Sequence, residues 1–268
     1  MLLHGRTEFI EKYYPTIERY RSMGFSVASF DWRGQGLSTR LLDDRLIGYC
    51  ESFEDYLRDL DTAISWIQQI GSSDRFVLAA HSMGGCIAMQ RLLRDPNPFH
   101  RAILSAPMLG LKMSSPVRWA SSNIASMMCA FGMAERYISG ARGGRTLADC
   151  GPEDSLLTSD EDNFWRFAGI VRKHPELGLS APSWGWLRAA FEAMDEIGQA
   201  GQNALEIPTL MILPTEDRVV SNRTSQRFAK RQSAIEVFEL HGSQHEPYVA
   251  AAEQQDALWE RISAFLAS

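Results

Sequence analysis

Phe76-Val77-Leu78-Ala79-Ala80-His81-Ser82-Met83-Gly84-Gly85 is the stretch whose reading decides the fold. An apolar run of strand character ends in small residues around a serine, and a segment of helical character follows at 86–94. A serine at such a strand-to-helix turn is held at the tip of a sheet, and its neighbours must be small because the turn leaves no room for larger side chains. The helix N-terminus beyond the serine favours negative charge developing beside it. Ala80 stands where this motif usually carries glycine, and a methyl group is small enough for the turn.

Outward from this turn, short β-type runs alternate with helical periodicity, the pattern of an α/β protein with a largely parallel sheet. The runs at 25–30, 76–80, 102–105, 209–213 and 235–240 read as strands. Phe53, Tyr56, Leu57, Leu60, Ile64 and Ile67 recur at helical spacing, with Ser52 as N-cap and Gly71 just past the end. Ala257, Leu258, Ile262, Phe265 and Leu266 predict a closing helix. The rhythm lapses over 109–205, which shows no strand and carries Met113, Trp119, Met127, Met128, Phe131, Met133, Phe164, Trp165, Trp184 and Trp186. That segment reads as a helical lid inserted into a core made of 1–108 and 206–268. Its apolar side chains either shape a binding cavity or pack a small core of the lid's own.

The chain has 268 residues, 45% hydrophobic and 22% charged, enough to bury a sizeable core. A net charge of −6 with no basic run excludes the footprint of nucleic-acid binding. No apolar stretch is long enough to span a bilayer, and Glu8, Glu11 and Glu18 interrupt the region where a signal peptide would be apolar. A soluble, cytoplasmic protein is expected. Cys50, Cys86, Cys129 and Cys150 form no CxxC pair, so neither a zinc site nor a disulfide framework is expected.

A serine hydroxyl is a weak nucleophile until a base removes its proton, so an acid and then a histidine should follow Ser82 in chain order. After the run at 209–213 comes Pro214-Thr215-Glu216-Asp217-Arg218, an acid at the C-terminal end of a strand; Asp217 is the first candidate and Glu216 the competitor. After 235–240 comes His241-Gly242-Ser243-Gln244-His245-Glu246. His245, out on the loop, is free to reach Ser82, whereas His241 abuts the strand. An oxyanion needs backbone N–H donors: Met83 supplies one, and Arg6, in Leu2-Leu3-His4-Gly5-Arg6-Thr7, supplies the other, with Gly5 allowing close approach. Each such donor contributes roughly 3 kcal/mol to the transition state. Asp31-Trp32-Arg33-Gly34-Gln35-Gly36-Leu37-Ser38 is not a dinucleotide loop, because Thr39 occupies the place of the third glycine. The glycine-rich loop with Arg142 and Arg145 reads as a solvated basic loop rather than a phosphate site.

Taken together, His4-Gly5-Arg6-Thr7-Glu8, Asp31-x-Arg33-Gly34-x-Gly36-x-Ser38, His81-Ser82-Met83-Gly84-Gly85, Asp217-Arg218-Val219-Val220 and Gly242-x-x-His245-Glu246 resemble the α/β-hydrolase superfamily. The likeness is to its bacterial lysophospholipase and monoacylglycerol lipase branch, and it extends to Leu157-Thr158-Ser159-Asp160 and His174-Pro175-Glu176-Leu177-Gly178. The resemblance implies an α/β-hydrolase fold: a mostly parallel central sheet flanked by helices, with the lid inserted after the strand near 102–105. It implies Ser82 as nucleophile, His245 as base, Asp217 as its orienting acid, and Arg6 and Met83 as oxyanion donors. His4, Gly5 and His81 are then expected beside the substrate. The implied reaction releases a fatty acid from a lysophospholipid or monoacylglycerol through an acyl-enzyme, with no metal or cofactor and with transient contact between lid and membrane surface.

Other members of the superfamily are proline iminopeptidases or small-ester esterases, and a catalytically impaired binding protein is a further alternative. Arg6 departs from the small residue that monoacylglycerol lipases carry at its position. In this branch one or two strands usually precede the His-Gly strand, which here is only Met1-Leu2-Leu3, so N-terminal strands of the sheet are expected to be missing.

Overall fold

The computed structural model describes every residue except 72–74, 141, 142 and 159, so Arg142 and Ser159 lie outside the described residues. Five parallel strands form one sheet in the order β1 (Leu2–Leu3), β2 (Phe76–His81), β3 (Phe99–Ser105), β4 (Thr209–Pro214) and β5 (Ile235–Leu240). Four strands fall where the sequence places them, and β3 begins three residues earlier than expected. The run at 25–30 is a correction. It lies beside β1, but among the described residues the one backbone bond between them is Leu2 N–H to Ala28 O, 2.8 Å. A neighbour of two residues offers too few partners for a ladder.

Among the described residues eight α-helices pack on the sheet or beyond it: α1 (Tyr14–Ser22), α2 (Phe53–Ile70), α3 (Ser82–Leu92), α4 (Ser115–Ala130), α5 (Glu161–Lys173), α6 (Trp184–Gln199), α7 (Asn222–Ala229) and α8 (Ala252–Ala267). Capping side chains explain several boundaries, and the Ser52 and Gly71 ends of α2 are those read from sequence. Ser52 accepts the Glu54 N–H and Gly71 closes α2, while Asp160, Ser183 and Ser221 cap α5, α6 and α7. α3 starts at Ser82 itself, four residues before the expected start, because the strand passes into the helix with no intervening loop.

On one face of the sheet, Leu78, Ala80, Leu104 and Met211 pack against α2, α3 and α6 through Leu57, Leu60, Ile87 and Phe191. On the other, Leu2, Ala79, Ile103, Leu210 and Ile212 pack against α1 and α8 through Tyr20, Leu258, Trp259 and Ile262. Residues 109–205, between β3 and β4, contain α4, α5 and α6 and no sheet strand among the described residues. Their apolar side chains divide: Phe164, Trp184 and Trp186 are buried, whereas Trp119, Met127, Phe131 and Met133 are exposed. Among the described residues no helix is long and apolar enough to cross a membrane.

Candidate active site

Three elements converge at the C-terminal ends of the strands, where open parallel sheets place their sites. Ser82 sits at the β2–α3 junction with φ +51°, a left-handed backbone that a serine adopts only under constraint from its surroundings. The constraint is close packing. A Cβ on Gly84 would lie 2.5 Å from the His4 carbonyl oxygen, and one on Gly85 would lie 2.9 Å from Pro107 Cα. The small residues read from sequence are therefore obligatory.

Ser82 Oγ lies 2.8 Å from His245 Nε2, and His245 Nδ1 lies 2.8 Å from Asp217 Oδ2. Since the carboxylate only accepts, Nδ1–H donates to Asp217 and Nε2 accepts the Ser82 hydroxyl. Asp217 Oδ1 takes the N–H groups of Val219 and Val220 at 2.7 and 2.9 Å. Burial works against ionisation of Asp217, yet its bonds to His245, Val220 and Val219 hold the carboxyl below the usual range. The sequence alternatives separate cleanly: Glu216 and His241 are exposed, whereas Asp217 and His245 are buried.

The loop after β1 is pinned on both sides of Arg6. Gly5 N–H donates to Glu8 Oε2 at 2.5 Å and Thr7 N–H to Gln35 Oε1 at 2.7 Å. Among the described residues no acceptor takes the Arg6 N–H between them. The Met83 N–H lies in the first turn of α3, where backbone donors have no intrahelical partner. A Cβ on Gly5 would come within 3.1 Å of Ser82 Cβ, which brings the loop against the serine. The Arg6 side chain runs toward residues 109–205: Nη2 donates to Ser180 O at 2.5 Å, and the guanidinium lies 5.1 Å over Trp186. Burial pushes Arg6 down to about 10.

The two histidines expected beside the substrate, His4 and His81, are enclosed. His4 Nδ1 is 2.7 Å from Gly5 O, and its Nε2 faces Asp31 Oδ1 at 3.3 Å, under the loop closed by Asp31 bonds to Ile10 and Leu37 N–H. His81 packs its ring 4.9 Å from that of His245, and burial keeps it neutral by pushing it down to about 3. Among the described residues no group of three or more His, Cys, Asp or Glu is placed to hold a metal ion. Gln35 was not anticipated from sequence. It holds Thr7, and its Nε2 lies 3.7 Å from Met83 Sδ, so it joins the loop after β1 to the residue that follows Ser82.

The arrangement provides a hydroxyl hydrogen bonded to a base, a buried carboxylate that orients the base, and two backbone donors beside the hydroxyl. Comparison with known proteins agrees with this reading of the fold. The serine aminopeptidase S33 family (Hydrolase_4) matches residues 1–249. The probable lysophospholipase L2 of Haemophilus influenzae is 28% identical over 227 residues, covering 85% of this chain and 70% of that protein. Lysophospholipase L2 of Escherichia coli K12 is 31% identical over 240 residues, covering 86% of this chain and 66% of that protein. The chain thus spans about two thirds of the length of these curated relatives. The crystal structure of Paleococcus ferrophilus monoacylglycerol lipase superposes with a TM-score of 0.75 at 21% identity, covering 98% of this chain and 93% of that one.

Proposed function

The chain belongs to the serine aminopeptidase S33 family and has the α/β-hydrolase fold, and from that premise we propose that it is a carboxylic ester hydrolase releasing a fatty acid from a lysophospholipid or a monoacylglycerol through an acyl-enzyme on Ser82. The observation that carries the reading is the unbroken chain from Ser82 Oγ through His245 to Asp217, 2.8 Å at each step. His245 Nε2 takes the hydroxyl proton as Oγ attacks the ester carbonyl. The Arg6 and Met83 N–H groups receive the negative charge of the tetrahedral intermediate. Collapse of that intermediate breaks the ester bond, and the proton on His245 passes to the departing alcohol. Water, deprotonated by His245, then attacks the acyl carbonyl; the second collapse returns the proton to Ser82 and frees the acid.

The names of the lysophospholipase L2 relatives favour a glycerophospho head group over glycerol. Residues 109–205 form the cap over this site. The cap reaches all three catalytic loops: Ser180 O takes the Arg6 guanidinium, Leu157 O takes the Glu246 N–H at 3.0 Å, and Lys112 donates from Nζ to Asp217 O and from its backbone N–H to Val219 O at 2.9 Å. The exposed apolar face of α4, with Trp119, Met127 and the following Phe131, meets the lipid surface from which substrate is drawn.

The family description brings an aminopeptidase as the second reading. Such an enzyme needs a carboxylate free to hold the substrate's α-ammonium. Among the described residues the buried acids are Glu8, Asp31, Asp217 and Glu246, and each is already paired, with Lys12, His4, His245 and Lys12 respectively. The ester reading is tested by fatty-acid release from a lysophosphatidylcholine and a monoacylglycerol of equal chain length, with Ser82→Ala as control. Ser82-dependent release supports it, and the ratio of the two rates assigns the head group. Hydrolysis of a proline arylamide with none of either lipid would overturn it.

A further inference from the structure

Three charged side chains, Glu8, Lys12 and Glu246, are buried together outside the Ser82–His245–Asp217 chain, and each is at most 6% exposed. Lys12 Nζ donates to Glu8 Oε1 at 2.7 Å and to Glu246 Oε1 at 2.5 Å. Its ammonium also lies 4.8 Å over the ring of Phe167 in α5. The other Glu8 oxygen accepts the Gly5 N–H at 2.5 Å and the Tyr13 hydroxyl at 2.8 Å. Glu246 follows His245 directly in the chain. Only a cavity of about 10 Å³, lined by Glu8, Lys12, Tyr13, His81 and Glu246 among others, interrupts the packing here.

This is a costly construction. Burial works against every charge in it, and two carboxylates compete for one ammonium. Lys12 holds Glu8 well below the usual carboxylate range, while burial and the nearby Glu8 charge push Glu246 above it. Well-packed apolar residues could join the same segments at less cost in stability. What apolar packing lacks is a directional bond to each partner, and here the two partners are the loop that presents the Arg6 N–H and the loop that presents the base.

We propose that Lys12 is a positioning residue that fixes the oxyanion loop relative to His245, through Glu8 on one side and Glu246 on the other. The proposal rests on the reading of Ser82 as the acylated nucleophile. Glu8 locks Gly5, which orients the next peptide and its Arg6 N–H. Glu246 anchors the backbone one residue beyond the imidazole. Lys12 sets the separation between the two carboxylates and hence between oxyanion donor and base. A displacement of about 1 Å in such a constellation costs on the order of 100-fold in rate.

The test uses the full chain and p-nitrophenyl butyrate, a soluble ester that does not depend on the cap meeting lipid. Lys12→Met keeps the length of the side chain and removes its charge; kcat should fall about 10- to 100-fold while KM changes less than about twofold. Because Lys12→Met leaves two facing carboxylates and can lower the melting temperature, Lys12→Met/Glu246→Gln is measured alongside it. The double variant should regain most of the thermal stability and keep the low kcat. Wild-type kcat in Lys12→Met, or recovery of kcat together with stability in the double variant, would overturn the assignment. The wild-type chain is read first against Ser82→Ala: wild-type turnover that survives Ser82→Ala contradicts the nucleophile reading and the Lys12 proposal with it, whereas Ser82-dependent turnover unchanged by Lys12→Met contradicts Lys12 alone.

Discussion

α3 and α4 are both helices with many apolar and small side chains, yet every residue of α3 is buried while α4 buries only Ala125. α3 is held between the sheet and the helices α2 and α6, and its first residue is Ser82. α4 is fastened on one side to α6, where Arg118 pairs with Asp195 and lies 5.4 Å over Phe191, and its other side is open. The two helices divide the demands of the proposed chemistry. Catalysis needs a nucleophile fixed to within about half an ångström, which a helix packed on all sides provides. Taking a substrate from a lipid surface needs exposed apolar area, which a helix packed on one side provides.

The contrast is broken most severely at the α3 end. Ser82→Ala or His245→Ala should lower kcat for ester hydrolysis on the order of a million-fold, and Asp217→Asn roughly ten-thousand-fold, with thermal melts close to wild type. Steady-state assays on the purified variants check this, and an active Asp217→Asn would detach the acid from the site. Next in size is packing. Gly84→Ala sets a methyl against the His4 carbonyl and should destabilise the chain by about 2–4 kcal/mol in urea denaturation, with loss of activity as β1 and α3 separate.

At the α4 end the pattern reverses. Trp119→Ser with Phe131→Ser should change unfolding free energy by no more than about 0.5 kcal/mol per site. The same pair should reduce turnover of vesicle-borne substrate severalfold and leave a soluble short-chain ester unaffected. Loss of both activities together would mean that α4 supports the site instead of meeting lipid.

The smallest effect is electrostatic. Asp217 titrates below its unfolded value in the folded chain, so the stability it contributes is complete above about pH 4 and is lost as the pH falls through the folded pKa. Asp217→Asn should therefore flatten the acid side of the stability curve, measured by denaturant midpoints between pH 3 and 6.

The same contrast explains what could be read from the sequence. The strands β2 to β5, α2 with its Ser52 cap, and the residues Ser82, Asp217 and His245 were legible because each is fixed by local pattern: apolar runs, a capping side chain, small residues at a turn, chain order. The run at 25–30 was misread because its strand character depends on a neighbour, and β1 offers two residues. The side chains of 109–205 could not be divided into buried and exposed, since helical spacing in that segment does not reveal which face meets α6. Lys12 was passed over although its Glu8 partner stands four residues away, an i,i+4 pair visible in the sequence. Its second partner, Glu246, is 234 residues distant, and only the closed fold brings them together.

The central claim is that Ser82 is the activated nucleophile. Its most direct test is intact-mass and peptide mass spectrometry of the folded chain after exposure to a fluorophosphonate. The account predicts a single adduct on the peptide containing Ser82, formed in the wild type and absent from Ser82→Ala. A folded wild-type chain that gains no adduct, or an adduct that persists in Ser82→Ala, would contradict it.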